Sequence, residues 1–589
     1  MSRFRRNAVN ESGAVAILVA LMLVPVLFGT VALCVDVSRW FALLERVQRA
    51  ADSAALAAAP LWSVNRAAAH EAALDAAARN GYSANSGTVV DVVQGDRPEQ
   101  VRVRISSRVT NVWGAVVGQP DRVLTRQAEA TYAPPLGLGS SCNLFGNEPD
   151  PASGDGSDAA DASGSAMSGQ CPFGRQPHFW ATIAGPDTAK ETGDRFATRW
   201  CASTVSGCVQ GRNTDYYGTD GQPWYFYRVT VRAPVASMSV QIFDPALVDV
   251  GDQCERLTHR SGTDSAWPGV DRANPYVSDA ITRYAFGSAA TVPVNSGSFC
   301  TGDSVPVQSA GMPVAVTSFA LHSPTSSGNP WRAPVLSNCV RQFSGFSLSS
   351  TQLTAALGSQ ALSDRPLQRV FRQWITLCTI TAPEVGDYFL QVRTNVGVGS
   401  ATPARMADPT EDSNFVGVGQ NRFALRVTAS GAQDNVIVSA LERMPLFTNA
   451  SGAHTTFLLA RVPSVAAGSS LRVEFFDVGD AQSPVQVALR APVAAQGVGP
   501  LACWALGDVR GSPTVPLSLP TCSLDGVSVN SGFNGATQVI EVPLSRDYAC
   551  ADDVPSDCWF SVDIDYPAGA RDTTTWTASL QGDPVRLVR

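Results

Sequence analysis

Lys190 is the only lysine in a chain of 589 residues, so all but one of its 43 basic side chains are arginine. Amine chemistry therefore has a single candidate: a Schiff base or a lysine isopeptide cross-link would have to run through Lys190. A Walker A loop is excluded, because Lys190 lies in Ala189-Lys190-Glu191 and not in Gly-Lys-Ser/Thr. The five histidines, His70, His178, His259, His322 and His454, are scattered along the chain. Neither G-x-S-x-G nor H-E-x-x-H occurs, so no hydrolytic nucleophile or zinc pair can be read from spacing. The expectation is a protein without catalytic residues and without a cofactor.

Cysteine offers a different chemistry. Of 13 cysteines, Cys34 sits in an apolar N-terminal run and twelve follow it. An even dozen in an exported chain predicts disulfides, whereas zinc is disfavoured because no C-x-x-C occurs. Candidate bridging residues are Cys142 and Cys171, Cys201 and Cys208, Cys503 and Cys522, and Cys550 and Cys558; spacing suggests local loops without fixing the pairing. Two Asp-Val-Gly-Asp turns, with Asp249, Asp252, Asp477 and Asp480, could offer oxygen ligands to Ca²⁺. The simpler expectation is a polar turn in which glycine supplies positive φ and the aspartates cap nearby amides. The aromatic runs Trp224-Tyr225-Phe226-Tyr227 and Cys558-Trp559-Phe560 could line a sugar-binding face, but aromatic strands are more often core. Asp563 and Asp565 share a strand face, with surface solvation as the default. A net charge of −8 argues against nucleic acid as a partner.

The elements that would hold these residues begin at the N-terminus. Gly13 to Val35 is uncharged over 23 residues, about 35 Å as a helix at ~1.5 Å per residue, enough to cross a bilayer. Arg3, Arg5 and Arg6 precede it, which puts residues 1–12 in the cytoplasm and the bulk of the chain outside. No Ala-x-Ala site ends the run, so an uncleaved anchor is expected. Residues 36–59 continue with helical spacing as an extracytoplasmic stalk, ending at Pro60. The alanine-rich face of that stalk either meets sister helices or covers the domain that follows.

A small α+β unit is expected over 60–133, with a helix at 63–80 closed by Asn80-Gly81 and strands at Val89–Val93 and Val101–Ile105. Residues 134–176 are small and acidic and read as a flexible linker. Two β-rich domains follow, 177–400 and 401–589. Each carries a strand, a turn and a second strand read as a hairpin: 225–231 with 239–244, and 457–462 with 471–476. The fold class is mainly β with N-terminal α: one transmembrane helix extended as a stalk, a pilin-like unit, then two sandwich or jelly-roll domains from a duplicated module.

The N-terminal motifs resemble a known family. Glu11-Ser12-Gly13-Ala14-Val15-Ala16, the apolar span, Val35-Asp36-Val37-Ser38-Arg39 and the block Val47-Gln48-Arg49-Ala50-Ala51-Asp52-Ser53-Ala54-Ala55-Leu56-Ala57 look like the TadG/TadE-like region of Tad machinery. The likeness continues through Ala77–Tyr82 to Ala128–Tyr132, roughly the first 130 residues. It implies a membrane-anchored component of Flp pilus assembly with a structural role. Implied partners are the membrane and other Tad/Flp pilus proteins or pilin-like helices, with cell wall or surface glycans as further candidates. The alternatives are a surface adhesin or carbohydrate-binding protein, and an exported hydrolase of unrecognised type. Asp161-x-Ser163-x-Ser165 formally matches the metal-binding motif of von Willebrand A domains carried by many TadG relatives. It lacks the buried strand that motif needs, so metal-dependent adhesion does not carry over.

Overall fold

The computed structural model describes residues 12–62, 66–84, 87–96, 100–133, 135–147, 179–217, 225–249, 301–306, 311–325, 329–349, 352–353, 355–356, 359, 361–395, 416–450, 454–478, 485–498, 501–505, 517–519, 521–527, 533–550, 557–566, 570–581 and 585–588. The chain divides into two compact units: residues 1–134 with 583–589, and residues 135–582. The larger unit is thus an insertion in the chain of the smaller, which a boundary at 401–589 does not anticipate.

In the small unit one helix, α1 (Ser12–Trp62), runs through both the apolar span and the stalk, with Pro25 and Pro60 inside it. It ends two residues beyond Pro60, within the turn that the proline disrupts. α1 has two characters. Side chains such as Leu21, Met22 and Phe28 are exposed, whereas Val47, Ala50, Ala51, Ala54, Ala55 and Ala58 are fully buried. The buried alanines lie on a core shared with α2 (Arg66–Arg79) and with Val101, Val103, Ile105 and Ala130 of the sheet. The stalk's small-residue face therefore covers its own sheet. Gly81, at φ 89°, closes α2 as Tyr82 N–H donates to the Ala77 carbonyl. The sheet is antiparallel, in the order β1 (Thr88–Gln94), β2 (Gln100–Thr110), β3 (Asp121–Tyr132) and the chain's last strand, Val585–Val588.

The large unit begins with β4 (Gly137–Gly139), β5 (Leu144–Phe145), β6 (Phe179–Ala184), β7 (Cys208–Val209), β8 (Arg212–Asn213), β9 (Tyr225–Val231) and β10 (Ser237–Phe243). It continues through β11 (Val248–Asp249), β12 (Thr317–His322), β13 (Val335–Phe343), β14 (Phe346–Ser347), β15 (Trp374–Thr381), β16 (Gly386–Thr394), β17 (Gln420–Ala429) and β18 (Val436–Leu441). The second half supplies β19 (Arg443–Ala450), β20 (His454–Arg461), β21 (Ser470–Phe476), β22 (Val485–Arg490) and β23 (Cys503–Ala505). β24 (Leu517–Leu519), β25 (Ser523–Val527), β26 (Thr537–Pro543), β27 (Trp559–Asp565) and β28 (Ala570–Gln581) complete it, and Val585–Val588 is β29.

Two sheets face each other. One runs β15-β10-β17-β6-β19-β28-β21-β26-β23-β24 and the other β13-β12-β16-β9-β18-β4-β20-β27-β22-β25. Within them the sets β15-β10-β17-β6 and β13-β12-β16-β9 repeat as β26-β21-β28-β19 and β25-β22-β27-β20, with the chain visiting the positions in the same sequence. Eight strands split four and four in this order make a jelly roll. The unit is two jelly rolls fused edge to edge, β6 pairing with β19 in one sheet, and β18 and β4 bridging β9 to β20 in the other. One continuous apolar core fills both rolls, from Val240 and Leu377 to Val473 and Val562.

Three sequence expectations shift. Strands 225–231 and 237–243 are not a hairpin: β9 and β10 lie in opposite sheets, as do β20 and β21, so each turn is an arch across the sandwich. β17, which lies beyond the expected boundary at 400, closes the first roll against β10 and β6. Residues 135–147, read as the start of a linker, are packed, with Leu136, Leu138 and Phe145 at most 3% exposed. Strands of two or three residues carry too little alternation to be read.

The duplication is real but its aligned residues differ from the Asp-Val-Gly-Asp turns. Asp244 follows β10 and Asp477 follows β21, both fully buried and both left-handed at φ 53° and 64°. The Asp244 N–H donates to the Gln373 carbonyl (3.0 Å), and the Asp477 N–H to that of Ala536 (2.9 Å). The Asp244 carboxylate accepts the N–H of Arg372 (2.9 Å), and that of Asp477 the N–H of Gly535. Arg372 and Gly535 are themselves left-handed, at φ 50° and 63°. Aspartate tolerates this conformation because its short carboxylate bonds locally.

Candidate functional site

Asp36 stands on α1 where the apolar run ends. It is 2% exposed, and its carboxylate accepts three backbone N–H groups of the β2–β3 loop: Val112 (2.9 Å), Trp113 (3.0 Å) and Gly114 (2.7 Å). A charged acceptor facing three amides is a strong, directional latch. Burial raises the Asp36 carboxyl, but the amides of Val112, Gly114 and Trp113, with Arg39, outweigh it and hold the group below the ordinary carboxylate value. The latch is braced on both sides. Trp40 Nε1 donates to Asn111 Oδ1 (2.8 Å), Arg39 donates to the Thr110 carbonyl (3.2 Å), and the Arg122 guanidinium lies 4.4 Å over the Trp40 ring. Val35-Asp36-Val37-Ser38-Arg39-Trp40 is thus the segment that fixes the sheet to the helix. The sequence motif resembles the family but gives no role to Asp36, because its partners lie 76 to 78 residues away.

Lys190 occupies the second notable site. It is fully buried, and Nζ donates to the Ser206 carbonyl (2.7 Å) and to Asp215 Oδ2 (2.6 Å), 4.9 Å over the Phe476 ring. Asp215 also receives Arg195 Nε (3.1 Å); Arg195 reaches Glu474 (2.6 Å) on β21, and Arg472 pairs with Glu474 (2.8 Å) and Glu541 (3.3 Å). Charges alternate along this chain, which ties the β6–β9 connection of the first roll to the sheet of the second. Burial lowers the Lys190 ammonium against the raising pull of Asp215. Burial raises Asp215, yet Arg195 and Lys190 outweigh it and hold it below the ordinary value. A carboxylate kept ionised by two cations is a poor acyl donor, so the geometry is that of an ionic clamp and not of a cross-link being formed. The connection is held further by the Ser206 N–H on the Gly535 carbonyl (2.7 Å) and by Thr575 Oγ1 on the Gly193 carbonyl (2.7 Å).

Disulfides join Cys201–Cys208, Cys339–Cys378, Cys503–Cys522 and Cys550–Cys558. Cys142 is also disulfide-bonded, and Cys171 lies outside the described residues. Cys339–Cys378, not singled out by spacing, links β13 of one sheet to β15 of the other.

The remaining sequence candidates do not converge. Asp249 receives Ser347 Oγ (3.2 Å) on β11, Asp477 is the buried cap described above, and Asp252 and Asp480 lie outside the described residues. Asp161, Ser163, Ser165, Trp224, His178 and His259 lie outside them as well. Among the described residues no group of three or more His, Cys, Asp or Glu is disposed to hold a metal. Tyr225, Phe226, Tyr227, Trp559 and Phe560 are at most 6% exposed, which makes them core and not a sugar platform. Asp563 pairs with Arg490 (2.7 Å), and Asp565 Oδ1 lies within hydrogen-bond distance of Nδ1 of the exposed His454 (2.6 Å), both on the polar face of the sheet. His322 is buried between the Ala333 carbonyl (2.8 Å) and Gln391 (3.2 Å), and burial lowers its pKa.

α1 is long and apolar enough to cross a membrane, the one such helix among the described residues. Neither a curated protein nor a solved structure matches the chain. Residues 13–63, nearly the whole of the helix that carries the anchor run, Asp36 and the alanine face, match the family described as putative Flp pilus-assembly TadE/G-like.

Proposed function

We propose that this protein is a membrane-anchored, non-enzymatic component of Tad/Flp pilus assembly, with residues 1–12 in the cytoplasm and both jelly rolls outside. The observation that carries the reading is the coincidence of the family match with α1, whose first half is apolar and exposed and whose second half is the base of the small unit. Arg3, Arg5 and Arg6 before the apolar run favour that orientation. So do the disulfides, which persist on the oxidising side of the membrane. In this role the protein works by contact: α1 associates with the membrane and other pilin-like helices, and the rolls present a rigid surface to pilus subunits or cell wall.

The test is fractionation of cells carrying an epitope tag after Arg589, with a deletion strain alongside. Full-length protein in membranes, digestible by protease added to spheroplasts, with loss of pili in the deletion strain, is the expected result. Normal pili in the deletion strain would remove the assembly role. Shortened protein in sheared filaments would make it a processed filament subunit and not an anchored factor.

A further inference from the structure

The β2–β3 loop carries Val112 and Trp113 at its tip, each 51% exposed although Asp36 holds their backbone. Beside α1 this loop bounds a groove of ≈ 540 Å³. Its helix wall includes Phe28, Val31 and Leu33, and its loop wall Trp113 and Gly114. Phe28 stands eight residues before Asp36, so the groove extends about 12 Å down the apolar part of the helix at ~1.5 Å per residue. We propose that this loop enters the outer leaflet of the bilayer and that lipid acyl chains fill the groove, giving the small unit a second membrane attachment beside its helix. The inference rests on the reading of α1 as a membrane span.

Three observations favour lipid over a second protein helix. First, the latch on Asp36 sets the loop at the end of the uncharged run, where the bilayer interface falls when residues 13–35 span it. Second, the residues at that level are an interfacial set. Trp113 and Trp40 are amphipathic rings suited to the headgroup layer, and the exposed Arg39 and Arg122 can reach lipid phosphates. Third, helices that pack closely in membranes use small residues four apart, whereas Gly29 in this groove is followed four positions on by Leu33, which is 59% exposed.

The test uses the full chain with Cys34→Ser, reconstituted in phosphatidylethanolamine/phosphatidylglycerol vesicles and spin-labelled at Val112→Cys, Leu23→Cys or Val89→Cys. All three positions are exposed, so the labels leave packing intact, and Cys34→Ser alone gives the labelling background. Accessibility is read to oxygen, which enriches in lipid, and to a water-soluble nickel chelate. The expected result is an oxygen-to-nickel ratio at 112 several-fold above that at 89 and below that at 23. A ratio at 112 equal to that at 89, with 23 in lipid, overturns the loop proposal alone. Nickel-accessible 23 overturns it together with the membrane-span reading. Shielding of 112 from both reagents, with spin–spin broadening that disappears on dilution with unlabelled protein, means that a second copy fills the groove and also overturns it.

Discussion

Replacing Lys190 with methionine keeps most of the side-chain volume but removes the one buried ammonium. The Ser206 carbonyl loses its donor and Asp215 loses one of two cations, while Arg195 remains. Removing one partner of a buried pair costs about 3–5 kcal/mol. The remaining Arg195 and the relief of lysine desolvation put this case near the lower end, about 3 kcal/mol. The unit that must unfold spans residues 135–582. At ~2.1 cal/mol/K per residue its unfolding entropy is about 0.9 kcal/mol/K, so the expected drop in Tm is about 3 °C if the fused rolls melt together. Asp215→Asn should cost more, since it leaves Lys190 buried without the carboxylate that accepts its hydrogen bond. The double variant should lose less than the sum, because the interaction is removed only once. Scanning fluorimetry on the four proteins measures all of this. Strictly additive losses, or a shift under about 0.5 °C for Lys190→Met, would refute the clamp. The same residue gives an independent readout: as the only lysine, it should resist amine-reactive probes in the folded protein and become labelled in Asp215→Asn.

Further outcomes follow from other contacts. Asp215 is held below the ordinary carboxylate value, so the advantage of wild type over Asp215→Asn should be full above that value and vanish as pH falls through the lower folded pKa, as acid titration of Tm would show. Asp36→Asn must turn an N–H₂ toward backbone donors; amide hydrogen exchange at Val112, Trp113 and Gly114 should speed up, with β15 and β26 unchanged. A Cβ on Gly193, at φ 100°, would lie 1.9 Å from the Thr573 carbonyl oxygen, so Gly193→Ala should displace the connection from β28 and lower Tm measurably. Opening Cys339–Cys378, separated by 39 residues, by paired serine substitution should cost about 4 kcal/mol in the chain-entropy account. Opening Cys201–Cys208, separated by 7, should cost only about 2.5 kcal/mol, a contrast that urea titration resolves.

What could be read from the sequence was what is local. An uncharged run of 23 residues, alanines at helical spacing and alternating strands such as Leu471-Arg472-Val473-Glu474-Phe475 declare themselves within a few residues. The duplication was legible too, because two arches reuse the same strand pattern. Its register was misleading: Asp-Val-Gly-Asp recurs by composition, while the repeated device is an aspartate in left-handed backbone at Asp244 and Asp477. Contacts of long sequence separation left no trace in spacing. Arg195 meets Glu474 across 279 residues, and β29 reaches β3 from the far end of the chain. Strand partners of this kind are chosen by packing, and a single sequence states only which faces are apolar.

The placement of β29 has a consequence for how the protein can be released. Residues 135–582 are joined to the anchored unit at both ends, once after β3 and once before β29. A protease that cuts between the two fused rolls leaves the first covalently tied to the small unit through the β3 side, while the second is held by the pairing of β29 with β3. Releasing the rolls from the small unit would therefore take two cuts, one at each connection. A single nick would leave both rolls held to the small unit.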